Sequence, residues 1–306
     1  MNPRAQIRML PDGRRLHMND GPIDLIVEAF GDPEEVRQAY RAAGARFVTV
    51  LDELCGELDY LRQQARKNGG LPSGVIAGRM AMAVRPYVEG TFITPMAAVA
   101  GAVAEEILAA MTAAAELSRA YVNDGGDIAL HLTPGEHFVI GLVERPDRPS
   151  LFGTATLEFS EPVRGIATSG WRGRSFSLGI ADAVTVLAKT AAMADAAATI
   201  VANAVDLPGH PNVQRVRARE LAPDNDLGDL PVTQAVGGLS VKEIERALQA
   251  GAAVAESLAT EGLLHATALN VQGFTKIVGA PMRLTGSEGK VHALASANTI
   301  EVSAHA

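Results

Sequence analysis

A run of β-branched and apolar residues, Ala183-Val-Thr-Val-Leu-Ala188, passes within two residues into a long stretch of small ones at 191–205, and this junction constrains the fold most tightly. The first run has the length and composition of a buried strand. The second suits a helix that ends before Pro208, Gly209 and Pro211. Its alanines would let a neighbouring backbone come close. A chain whose aliphatic content is mostly alanine and valine is expected to pack helices tightly onto a sheet. An aromatic core is excluded, since only 4% of the residues are aromatic.

Other signals place the remaining elements. Asn19-Asp-Gly-Pro22 suits a hairpin turn between two strands within 14–27. Asp32-Pro-Glu-Glu35 has the form of a helix start, with a capping aspartate and proline at the first helical position. Val48, Leu51, Leu54, Leu58 and Leu61 recur at helical spacing and predict a second helix over about 46–66. A loop follows at 69–74. Thr94 and Pro95 open a long helix expected to run to about residue 120, followed by a short strand at 120–123. Strands are expected at 128–132, 137–142 and 154–159, with a proline-rich surface loop at 145–150. Ser240 and Glu243 form a capping box for a helix over 242–261 that Gly262 ends. Residues 263–271 read as the last core strand. Strands and helices alternate without strict βαβ order, and no low-complexity linker divides the chain. The fold class expected is α+β, one domain of mixed or antiparallel sheets with packed helices, open to two pseudo-repeated halves.

At 306 residues, with 47% hydrophobic and 20% charged, the chain can bury a large core and is not a disordered polymer. Its net charge of −8 and the lack of a long Lys/Arg run argue against nucleic acid as a partner. Cys55 is the only cysteine, which excludes an intrachain disulfide and a cysteine-rich metal site. It reads as a packing residue of an amphipathic helix. The N-terminus has no apolar segment of the signal-peptide kind. Glu105, Glu106 and Asp195 interrupt the alanine-rich stretches, so no membrane span is expected. A cytoplasmic protein is the expectation.

Three places could carry chemistry. Asp195 and Thr199 stand at i, i+4 on one helix face among alanines, and their hard oxygens suit Mg²⁺ or Ca²⁺. The alternative is that Asp195 is a buried cap partner and Thr199 bonds back to a helix carbonyl. Asn123-Asp-Gly-Gly-Asp127 could cradle an anion on backbone N–H groups, or could simply be a tight turn. It is neither a Walker A loop nor a dinucleotide fingerprint. Thr168, Ser169 and Gly170, then Arg172, Arg174, Ser175 and Ser177, gather hydroxyls and two guanidinium groups suited to phosphate oxygens, or form a solvated loop. Trp171 could stack on a heterocycle or seal that loop. The seven histidines do not cluster, although His131 and His137 flank a turn and could meet across a hairpin.

These pieces occur in an order that resembles the ApbE-like family, the FAD:protein FMN transferases. The matching segments are Met96-Ala-Ala-Val-Ala-Gly101, Val122-Asn-Asp-Gly-Gly-Asp-Ile128, Ala167-Thr-Ser-Gly170, Ala183-Val-Thr-Val-Leu187 and Ala194-Asp-Ala-Ala-Ala-Thr199. They cover about 48–205, and beyond that the chain is most similar to an uncharacterised cytoplasmic offshoot of the family. The resemblance implies a single ApbE-like domain over 1–280 with a weakly patterned tail at 281–306. It implies Mg²⁺ held by Asp195 and Thr199. A flavin-nucleotide cleft, for FAD or FMN, is implied near Asn123, Gly125, Gly126, Asp127, Thr168, Ser169 and Gly170. Two of the family's features are replaced here. Ala100 and Gly101 stand where it carries a lysine, and Arg172-Gly-Arg-Ser-Phe-Ser-Leu-Gly-Ile-Ala-Asp182 takes the place of its His-x-x-Asp-Pro-Arg-Thr-Gly segment.

The expectation is a Mg²⁺-dependent enzyme that acts on a flavin nucleotide or a related phosphorylated heterocycle by phosphotransfer or pyrophosphate cleavage. The alternative is a non-catalytic flavin- or nucleotide-binding protein that has lost FMN transfer. A third reading is a metal-free hydrolase that uses the Arg/Ser loop. The expected partner is a small molecule, with no nucleic acid and no membrane, and a homodimer is compatible with each reading.

Overall fold

The computed structural model describes residues 4–143, 151–279 and 292–293. Along the chain lie β1 (Gln6–Met9), β2 (Leu16–Asp20), β3 (Ile23–Phe30), α1 (Pro33–Gly56), α2 (Leu58–Leu61), α3 (Val75–Val84) and α4 (Val99–Ala114). There follow β4 (Arg119–Asp124), β5 (Asp127–Leu132), β6 (His137–Val143), β7 (Leu151–Glu158), β8 (Gly165–Ser169), β9 (Ala183–Ala188) and α5 (Ala191–Ala204). Then come β10 (Val213–Arg217), α6 (Ala218–Leu221), β11 (Pro231–Val236), α7 (Val241–Thr260), β12 (Ala266–Val271), β13 (Phe274–Gly279) and the short β14 (His292–Ala293). The class is α+β, as expected. Contacts group the chain into two compact units. The first is Met1–His137, Glu158–Ala167 and Ala188–Ala196; the second is Phe138–Leu157, Thr168–Leu187 and Ala197–Ala306. The expected loop at 145–150 and all of the 281–306 tail except β14 lie outside the described residues.

In the first unit β1 to β5 pair antiparallel in chain order, and β5 continues to the start of β8 through Ile128↔Ile166 and Ala129↔Gly165. The Asn-Asp-Gly-Pro turn joins β2 to β3, with Gly21 at φ 58° supplying the left-handed step. Alternation along β2 and β4 turns Leu16, Met18, Ala120 and Val122 to one buried face. Helices α1 and α4 cover that face.

Asp32 caps α1 by accepting the Glu34 N–H at 2.8 Å. The expected second helix over 46–66 is not separate. One helix runs through to Gly56, and α2 adds a single turn. Ala39, Tyr40, Ala43, Phe47, Val50 and Leu54 make one continuous buried stripe, so burial carries the helix across the point where the sequence suggests a new start. Val48 is 45% exposed, and Cys55 faces outward beside the buried Leu54. The packing role expected for Cys55 is therefore corrected. The helix opened by Pro95 begins with a 3-10 turn, Pro95–Ala98, and α4 ends at Ala114, short of residue 120. Pro95–Ala114 is long and apolar enough to cross a membrane by length and composition. In this fold its Glu105 and Glu106 pair with Arg79, at 3.1 and 2.9 Å.

In the second unit β6 pairs with β7, and β9, β12 and β13 pair antiparallel in that order. Every residue of β9 and β12 is buried, as expected of strands covered on both faces. The strand at 263–271 is not the last: β13 follows it through a two-residue turn and pairs along its whole length. Helix α7 starts with the expected capping box of Ser240 and Glu243, and it lays Ile244, Ala247, Leu248, Gly251, Ala255 and Leu258 inward. A side chain at Gly251 would meet Val205 Cγ2 at 2.3 Å and Leu269 Cδ2 at 2.8 Å, so the close packing there depends on glycine. Strands β10 and β11 form a separate ribbon that the sequence reading missed. His131 and His137 are not brought together by hairpin pairing: β5 and β6 pair in different sheets, and His131 Nε2 reaches the Leu117 carbonyl oxygen at 3.1 Å.

Candidate functional site

Asp195 lies in the second turn of α5, on a helix whose alanines at 191, 192, 194, 196, 197 and 198 are almost fully buried. Asp195 and Thr199 keep partial exposure. Two glycines let the start of α5 come this close. A side chain at Gly101 would sit 2.3 Å from the Ala191 carbonyl oxygen, and one at Gly165 would sit 2.0 Å from the Thr190 carbonyl carbon. No side chain fits either gap.

Asp195 Oδ2 accepts the Gly101 N–H at 3.0 Å, and the Ala100 N–H adds a second hydrogen bond. These amides belong to the first turn of α4, whose N–H groups have no partner within the helix. Asp195 thus caps a neighbouring helix, as one of the two sequence readings supposed. Burial nonetheless raises its pKa well above the ordinary carboxylate range, and repulsion from Asp127 and then Asp124 raises it further. Thr112 and Thr260 bond back to helix carbonyls. Among the described residues the Thr199 hydroxyl makes no such bond.

Asp124 and Asp127 face each other across the Gly-Gly turn between β4 and β5. Asp124 shares the buried face of β4 with Ala120 and Val122, a signal already present in the strand's alternation. Sequence reasoning named Asp127 and passed over Asp124. Gly125 and Gly126 take φ values of 63° and 114°, which glycine alone adopts without strain. Asn123 Oδ1 accepts the Gly126 N–H at 2.8 Å, so that donor serves the turn. A side chain at Gly126 would meet nothing within 4 Å, so the turn faces open space.

The Thr-Ser-Gly element ends β8. In the second unit the Thr168 hydroxyl bonds to that of Thr185 at 2.9 Å, and Ser169 is partly exposed. A side chain at Gly170 would meet the Asp182 carbonyl oxygen at 2.6 Å. Arg172 Nε donates to Oδ1 of the buried Asp182, and its guanidinium stacks on Trp171, 4.2 Å from the ring centroid. The other Asp182 oxygen accepts the Gln272 N–H at 2.6 Å. Arg172 is thus held within its own unit; Arg174 and Ser175 lie on the surface. Among the described residues no three His, Cys, Asp or Glu side chains are grouped to hold a metal. Mg²⁺ does not need such a group: it takes one or two carboxylates and completes its shell with water and phosphate.

The sequence model of the family described as AbpE bacteria matches residues 7–277. The chain belongs to this family. Among the relatives of this chain, a UPF0280 protein of Methanopyrus kandleri is 40% identical over 156 residues, covering 51% of this chain and 58% of that protein. A UPF0280 protein of Methanococcoides burtonii is 41% identical over 124 residues, covering 40% and 50% respectively. The chain spans about half the length of the curated relatives it matches. Among solved structures, the flavinyl transferase ApbE of Pseudomonas stutzeri in its apo form aligns with a TM-score of 0.39 at 13% identity, over 88% of this chain and 90% of that one. A flavin transferase ApbE from Vibrio cholerae aligns with a TM-score of 0.37 at 12% identity, over 86% and 96%.

Proposed function

We propose that this chain is a Mg²⁺-dependent enzyme that acts on a flavin nucleotide, FAD or FMN, or on a related phosphorylated heterocycle, by phosphotransfer or pyrophosphate cleavage. What supports this reading is the placement of Asp195 near the start of α5, within electrostatic reach of Asp127 and Asp124. Neighbouring carboxylates are costly to keep ionised unless a proton or a cation offsets them. Asp195 and Thr199 would hold the cation; when bound, it supplies positive charge against the phosphate oxygens. The open turn at Gly125 and Gly126 leaves room for a ligand beside Asp127. Thr168, Ser169 and Gly170 would line the ligand, and Arg174 and Ser175 are exposed donors for its anionic part. Asn123 holds the turn in shape.

The test is product analysis. Purified protein with FAD and Mg²⁺ is expected to release FMN and AMP, as water adds to one phosphorus and the bridging P–O bond breaks. Asp195→Ala and chelation are each expected to abolish release. A second reading, nucleotide binding without turnover, is favoured by the attachment of Arg172 to Asp182, which takes a phosphate donor out of the loop. It predicts FAD retention with no product under any divalent metal. Release that survives chelation would contradict both and favour a metal-free hydrolase.

A further inference from the structure

The N-termini of α4 and α5 exchange carboxylates. Helix α4 gives its Gly101 N–H to Asp195 of α5 at 3.0 Å, and α5 gives its Ala192 N–H to Oε1 of Glu105, one turn further along α4, at 2.7 Å. Each carboxylate satisfies an amide that its own helix end leaves unpaired and faces a positive helix dipole. Glu105 is itself anchored. Its other oxygen pairs with Arg79 at 3.1 Å, Arg79 pairs with Glu106 at 2.9 Å, and Glu106 pairs with Arg46 of α1 at 2.7 Å.

We propose that Glu105 is a positioning residue that fixes the first turn of α5, and through it Asp195, for divalent-cation binding. The inference rests on the metal reading given above. Asp195 lies three residues after Ala192, so an amide pinned at 2.7 Å sets the rotation of the turn that carries the carboxylate. The Gly101 N–H holds the Asp195 carboxylate, while Glu105 holds the helix turn that carries it. Glu106 has the same ladder of arginines yet makes no bond to α5 among the described residues, so the two neighbours separate positioning from plain stability.

The measurement is Mn²⁺ affinity, read from the free-ion electron paramagnetic resonance signal, with amide hydrogen exchange at Ala192 as a metal-free readout. Glu105→Ala is expected to weaken Mn²⁺ binding about ten-fold or more, the range found when a partner that orients a metal ligand is lost. Exchange at Ala192 is expected to rise. Glu105→Gln, which keeps an acceptor for that amide, should lose less than a factor of ten. Glu106→Ala should lower thermal stability and leave Mn²⁺ affinity and Ala192 exchange unchanged. Equal Mn²⁺ losses in Glu105→Ala and Glu106→Ala, or none in Glu105→Ala, would overturn the positioning role alone, provided that Asp195→Ala abolishes binding. If the parent protein binds no Mn²⁺, or Asp195→Ala binds it like the parent, the metal reading fails and this inference with it.

Discussion

Asp195 is held by opposing effects. Two amides of α4 stabilise its ionised form, while burial, Asp127 and Asp124 oppose ionisation more strongly. A carboxyl whose pKa is higher in the folded than in the unfolded state binds more protons when folded. Its stability contribution is intact below the unfolded-state value and is lost as pH rises through the folded-state value. Each unit of upward shift removes about 1.4 kcal/mol at pH values above both. Asp195→Asn, with no charge to bury, is therefore expected to be more stable than the parent at pH 8 in chelator, the difference vanishing below about pH 4. Urea denaturation across this range checks it. Equal stability at pH 8 would mean that the carboxylate is not under stress. Of the proposed site residues, Asp195 and Thr199 stand out in the sequence by their spacing among alanines together with the motif order. Asp124 and Glu105 were not singled out, because an acidic residue gains meaning only once its neighbours in space are known.

At the scale of elements, the approach of α4 to α5 depends on a missing side chain. Gly101→Ala would ordinarily favour a helix by about 0.5–1 kcal/mol. Here the new methyl group would meet the Ala191 backbone at 2.3 Å, and backbone cannot turn aside as a flexible side chain can. A net loss of about 1–3 kcal/mol is expected by denaturant titration, together with weaker metal binding. A gain in stability would show that the gap is wider than the structure has it. Helices α5 and α7 and strands β9 and β12 were readable because composition, caps and breakers agree in them. The boundary inside α1 was misread because Val48 and Leu51 join Leu54 at helical spacing, while the residues buried ahead of Leu54 are Phe47 and Val50. The β10–β11 ribbon escaped because its burial alternates weakly and its register shifts at Gln214/Arg215.

At the scale of the whole molecule, the chain passes between its two units several times, and α5 contributes residues to both. The family match extends over residues 7–277, which include every residue proposed for metal or ligand. Metal and nucleotide are separable claims. The metal is proposed from Asp195, its acidic neighbours and Thr199, and the flavin from motif order around a loop whose Arg172 is tied to Asp182. Native mass spectrometry with metal analysis, before and after FAD and Mg²⁺ are added, tests both together. The prediction is a divalent metal that Asp195→Ala loses, and FAD or FMN retained when the metal is present. Protein that carries neither metal nor nucleotide under those conditions would contradict it.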